Sequence, residues 1–222
     1  MSFPNAAKGV KKIFVAEILH LIGTIPFLVG GIMMTKGLMS SGWDGLSFFL
    51  YGIGFTIASL PIYAVATFVS RAGIINASHD ESYFEKARII NVGIVTSVGA
   101  CLIMASMLSG AALVYFGGIL LYAAAELVNI FVLIYAIGGI IRLADQLNRG
   151  DISVKGSIVL KFLIVINALA FIAPIIALFS VLFNADLLVA VIILAAAQAL
   201  ELIKYIIYLI FLAQVKKMLK EA

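Results

Sequence analysis

Six long apolar runs constrain this chain more than any other feature: Ile13–Met34, Leu46–Val69, Ile89–Leu108, Ala111–Ile141, Ser157–Phe183 and Leu187–Ala213. A helix that crosses a bilayer needs about 20 mainly apolar residues, and each run supplies that many. Within lipid only a helix satisfies every backbone group inside one such segment. The runs therefore predict an all-α fold, a polytopic membrane bundle of six transmembrane helices. The fourth run is long enough to tilt or to extend past the membrane.

Composition agrees. Of 222 residues 64% are hydrophobic and 12% charged, with a mean hydropathy of +1.20. A soluble domain carries about 25% charged residues, so this chain cannot cover its own surface in water and the lipid bilayer is its expected partner. The six runs and their links use up the length, so residues 1–222 read as one membrane domain. Cys101 is the only cysteine, which excludes an internal disulfide and Cys-x-x-Cys chemistry. The first run follows Lys8, Lys11 and Lys12 like a signal peptide. It is too long for one, holds Glu17 and His20, and lacks a small-residue cleavage site, so it reads as a retained helix.

Orientation follows from the basic residues. With an N-terminus inside, Lys8, Lys11, Lys12, Arg71, Lys86, Arg88, Arg142, Arg149, Lys155, Lys216, Lys217 and Lys220 all fall on the cytoplasmic side. Only Lys36 falls outside. The net charge of +4 thus reports topology, not nucleic-acid binding. Both termini are expected in the cytoplasm, and a plasma (inner) membrane is the default location, since no organelle signal appears. The outer links are expected at Thr35–Gly45, Ser109–Gly110 and Asn184–Asp186, the last two short enough to force tight hairpins. On the inner side Ser78–Glu81 has the capping-box pattern and predicts the start of the third helix, and Asn148-Arg149-Gly150-Asp151 predicts a turn. Asn76-Ala77-Ser78 fits the glycosylation sequon but lies on the wrong side to be used. Lys11, Lys86 and Lys161 recur 75 residues apart, and Ala123–Leu127 echoes Ala195–Leu202. Three tandem helical hairpins are a reading of that spacing.

Inside the apolar runs one local pattern recurs: Glu, then a polar partner three residues on. It places Glu17 with His20 on the first helix, Glu126 with Asn129 on the fourth and Glu201 with Lys204 on the sixth. Residues at that spacing share a helix face. A charge at a helix centre is disfavoured by roughly 2.5–3.5 kcal/mol, so these groups should point inward and pair. Ionisable groups at such depth serve function or hold helices together as polar glue. The candidate ion- or solute-binding set is Glu126, Glu201, Lys204, Asn129, His20, Glu17 and Asn167, centred on Glu126, Glu201 and Lys204. Small residues (Gly52, Gly54 and Ala58, Gly93 and Ser97, Ala195 and Ala199) would allow close helix packing. Pro26, Pro61 and Pro174 fall within helices and read as tolerated prolines.

No catalytic motif emerges, so an enzyme is not expected, nor is a cofactor or a metal. One Glu-x-x-His is half of what carboxylate metal sites in helical bundles need. A rhomboid protease nucleophile would need a glycine that Leu108-Ser109-Gly110 lacks, and no histidine follows His79. In size, hydrophobicity and six-helix plan the chain resembles the substrate-binding subunits of energy-coupling-factor vitamin transporters, without their Ala-x-x-x-Ala docking pattern on the first helix. The expected function is a small transport or channel-like subunit that takes an ion, a proton or a small solute. The alternative is a non-catalytic assembly, scaffold or regulatory subunit, whose partner is another membrane protein or a second copy of the chain.

Overall fold

The computed structural model describes residues 2–40, 42–91, 112–182 and 187–222. Some side chains within the later helices, among them those of Glu126, Pro174 and Gln198, lie outside what is described. The described residues form six helices and no strand: α1 (Pro4–Met39), α2 (Gly42–Ser78), α3 (Ser82–Ile90), α4 (Ala112–Gln146), α5 (Gly150–Leu182) and α6 (Leu187–Glu221). Each packs on its neighbours in sequence, and α1 also packs on α6, which closes the set into a ring.

Among the described residues four segments are long and apolar enough to cross a membrane: Pro4–Met34, Gly42–Ser78, Leu127–Gln146 and Gly150–Ala173. Between 22% and 33% of the most apolar window in each is buried, so these helices turn most of their apolar surface outward. Ile22, Ile32, Leu50, Phe55, Phe131 and Val165 are among the large side chains so exposed. The expected six spans therefore stand at four. The third run falls mostly on residues outside those described, as do the links at Ser109–Gly110 and Asn184–Asp186. α6 carries the sixth run without a window of the same quality among its described residues.

The α1–α2 hairpin is organised by small residues at every seventh position. Gly9, Ala16, Gly23, Gly30 and Gly37 on α1 and Gly73, Ala66, Ser59, Gly52 and Gly45 on α2 are all buried, with Gly9 against Gly73, Gly30 against Gly52 and Gly37 against Gly45. Removing side chains at a heptad spacing lets two helix backbones approach along their whole length. A methyl group on Gly9 would come within 2.5 Å of the Gly73 carbonyl oxygen, and one on Gly30 within 2.7 Å of that of Gly52. The small-residue reading of α2 is corrected accordingly: Gly52 lies in this seam, while Gly54 and Ala58 are exposed. Helix covers most of the expected link Thr35–Gly45, since α1 runs to Met39 and α2 starts at Gly42. Gly42 makes the turn with a φ of +74°, a conformation glycine adopts without strain. Both α1 and α2 run unbroken through Pro26 and Pro61, and α5 through residue 174.

Every helix but α3 runs beyond its apolar run at the end where the termini meet, and α1 and α2 overrun by a shorter stretch at the other end as well. Phe3, the N-cap of α1, supplies no side-chain bond. Asp80 caps the helix instead: its Oδ2 accepts from Ala6 N at 2.7 Å and its Oδ1 from Asn5 Nδ2 at 2.9 Å. Ser78 belongs to α2 and donates to the Ile75 carbonyl, so it is not the cap expected for the next helix. Glu81 takes that place, accepting from Tyr83 N at 3.3 Å. Its buried carboxylate also lies 3.5 Å from Arg142 Nε, which ties α3 to α4. The Asn148 turn is as expected. Asn148 adopts a left-handed φ of 56°, and Arg149 N bonds to Ala144 O across it, the Schellman closure. Arg149 then donates to Asp151 at 3.1 and 3.3 Å and to Glu221 at 3.5 Å. The first of these bonds, with the guanidinium charge, holds the Asp151 carboxyl below its ordinary range.

Beneath these ties lies the main apolar core, built from all six helices: Val10, Ile13, Ile74, Phe84, Ile137, Ile140, Leu163, Leu212 and Val215 among others. Phe84 of α3 is fully buried, its ring pressed where Gly139 lacks a side chain. Asn76 is within α2 with its amide nitrogen buried, which takes the glycosylation sequon out of reach.

Candidate functional site

Above that core the seam between α1 and α6 turns polar. Glu17, His20 and Thr24 stand at i, i+3 and i+7 on α1. Glu201, Lys204, Tyr205 and Tyr208 stand at i, i+3, i+4 and i+7 on α6. Each set lies on one helix face, and the antiparallel packing of α1 on α6 turns the two faces toward each other.

On α6, Lys204 forms an ion pair with Glu201, and its Nζ donates to Asn167 Oδ1 on α5 at 3.3 Å. Asn167 is oriented for this because its Nδ2 donates to the Leu163 carbonyl at 2.7 Å, which leaves the amide oxygen facing the ammonium. Lys204 Nζ also lies 4.9 Å from the centre of the Tyr205 ring.

On α1, His20 Nδ1 lies 3.6 Å from Glu17 Oε2. Its ring is stacked on Tyr205 at 5.6 Å and tilted against Tyr63 of α2 at 6.0 Å. The Tyr63 hydroxyl is fixed by Thr24, 2.8 Å away. Thr24 spends its one proton on the His20 carbonyl, also at 2.8 Å, so Tyr63 is the donor to Thr24. Glu17 is buried, as is Tyr208, whose hydroxyl is within electrostatic reach of the Glu17 carboxylate. The result is one continuous path of contacts: Asn167, Lys204 with Glu201, Tyr205, His20 with Glu17, then Tyr63 and Thr24.

Five of the seven residues singled out from sequence meet here: Glu17, His20, Asn167, Glu201 and Lys204. Asn129 is half-buried and engaged on α4, beyond α5 and near the level of Asn167, a register that the Gly156–Ile141 contact fixes. The side chain of Glu126 lies outside the described residues. Tyr63, Thr24, Tyr205 and Tyr208 were not anticipated, although their i+4 and i+7 spacing from the acidic residues was a signal for three of them. Among the described residues no three His, Cys, Asp or Glu side chains converge as metal ligands do.

Among the described residues fold and site are all-helical, and four long apolar helices point to a membrane-embedded chain. No protein-family model matches the sequence, and no curated protein or solved structure matches it either.

Proposed function

We propose that this chain is a six-span protein of the plasma (inner) membrane with both termini in the cytoplasm, and that it works as a small transport or channel-like subunit. The observation that carries the reading is the meeting of two Glu-x-x-base pairs, Glu17–His20 and Glu201–Lys204, across the α1–α6 seam. Such groups are costly inside a bilayer and are kept where an ion or proton pathway uses them. The side chains touch one another directly, which favours a proton or a small ion over a larger solute. Reconstitution in liposomes with a pH-reporting dye tests this. The native chain should pass protons or monovalent cations, and the double substitution Glu126→Gln with Glu201→Gln should abolish the flux while helix content stays intact. Unchanged flux in that variant overturns the proposal.

One observation favours the second reading, an assembly or regulatory subunit. Lys204 is neutralised by Glu201 and tied to Asn167, an arrangement suited to holding α5 and α6 together. On that reading the native chain carries no flux, and the same double variant instead melts at a lower temperature.

A further inference from the structure

We infer that His20, enclosed by Tyr63 and Tyr205, is the group in this cluster that takes up and releases a proton, with Glu17 as its counter-ion. The inference deepens the transport reading and rests on it for its purpose, though the chemistry stands on the geometry of the pair.

The two base-containing pairs are built differently. The Lys204 ammonium has both a carboxylate and an amide oxygen as acceptors, so taking its proton away would leave the Glu201 charge unanswered in a low-dielectric site. His20 Nδ1 is buried and makes no hydrogen bond among the described residues. Its nearest acceptor, Glu17 Oε2, stands at 3.6 Å, outside the range of a formed N–H···O bond. That gap suits an uncharged Nδ1 whose lone pair faces a carboxylate. When hydronium gives its proton to the Nδ1 lone pair, water leaves and an imidazolium N–H is formed. That N–H can donate to Glu17 and close the gap to about 2.8 Å. Release runs the same step backward.

The surroundings of the ring fit the charged form. From α2 comes Tyr63 and from α6 Tyr205, both with centroids within the about 6 Å over which an aromatic face attracts a cation. Glu17 lies on α1 itself, with Tyr208 of α6 in its reach. Against these stands the Lys204 charge across Tyr205, already paired with Glu201 and tied to Asn167 on α5. With both glutamates ionised and His20 neutral, the cluster carries one net negative charge. With His20 protonated it carries none. Protonation therefore removes an uncompensated charge from the seam.

The chain has two histidines, so nitrogen NMR of histidine-labelled, full-length protein in lipid nanodiscs reads this directly, with His79→Gln leaving His20 alone. As the pH is lowered the His20 ring nitrogens should pass from the neutral to the imidazolium pattern. In Glu17→Gln the ratio of charged to neutral ring at a fixed pH should fall about tenfold or more. In Tyr205→Leu, which keeps both carboxylates, it should also fall, which covers the case of a Glu17 variant that does not fold. A His20 that holds one charge state throughout, in protein that circular dichroism shows to be folded, overturns the inference. So does a ratio indifferent to both substitutions. Flux through liposomes with a silent His20 sinks this inference and leaves the transport reading standing; a titrating His20 without flux does the reverse.

Discussion

Asp80 answers the first need of α1 from 74 residues away in sequence. A helix begins with unpaired N–H groups and a partial positive charge, and a carboxylate placed there answers both. Asp80→Ala should cost about 1 kcal/mol, the usual price of a lost cap. Asp80→Asn, which still offers an oxygen, should lose little of that. Thermal melts in a mild detergent would show the difference, and equal losses would assign Asp80 some other role. The capping box at Ser78–Glu81 was misread for a related reason. The pattern is local, and nothing in four residues says that α2 continues through Ser78 and turns at His79. Glu81 caps α3 by itself, and its carboxylate also meets the Arg142 guanidinium, which only the fold brings there on α4. The polar cluster was half legible in the same way. Glu-x-x-base pairs are visible in sequence because they lie on one helix. That Tyr205 stands between two of them depends on α1 meeting α6, a contact between residues 185 apart.

At the scale of helices the apolar runs located the long elements and missed their ends. An apolar run marks the thickness of lipid, whereas a helix stops where its backbone partners stop. Lys, Glu, Gln, Leu and Ala continue a helix readily, and α6 accordingly runs on to Glu221. The heptad of small residues between α1 and α2 was present in the sequence, but pairing Gly30 with Gly52 requires the hairpin register, which the turn at residues 40–42 sets. Two adjacent glycines separate packing from propensity here. Gly31 has nothing within 4 Å of where a methyl group would stand, while that of Gly30 would meet the Gly52 carbonyl and the Thr56 side chain. Gly31→Ala should therefore stabilise by about 0.5–1 kcal/mol through helix propensity alone. Gly30→Ala should destabilise by about 1–3 kcal/mol as the seam is forced apart. Unfolding in a graded denaturant measures both, and equal effects would refute the close packing of α1 on α2.

The whole molecule has two unlike ends. α1 and α2, at 36 and 37 residues and about 1.5 Å each, are far longer than the about 30 Å of hydrocarbon they would cross. The larger part of the surplus lies at the end that holds both termini, where Asp80, Glu81, Arg149 and Glu221 tie the turns together over the apolar core. That end also gathers the basic residues, and the opposite end keeps Lys36 beside Phe48 and an exposed Trp43. Positive charge is retained on the cytoplasmic side during insertion, so the end with the termini should be the inner one. With Cys101 replaced by Ser, a cysteine at Ser40 should react with a membrane-impermeant maleimide in intact cells. Cysteines at Ser2 and Lys220 should react only after the membrane is opened. The opposite pattern would invert the molecule and place His20 and Glu17 in the outer half of the membrane. Labelling of Ser2 and Lys220 from different sides would be harder to accommodate, since α1 and α6 pack antiparallel, with Phe14 under Lys216 near one end and His20 on Tyr205 deeper in. The antiparallel packing of α1 on α6 thus fixes both termini to one side, and it is the same seam that carries the polar cluster.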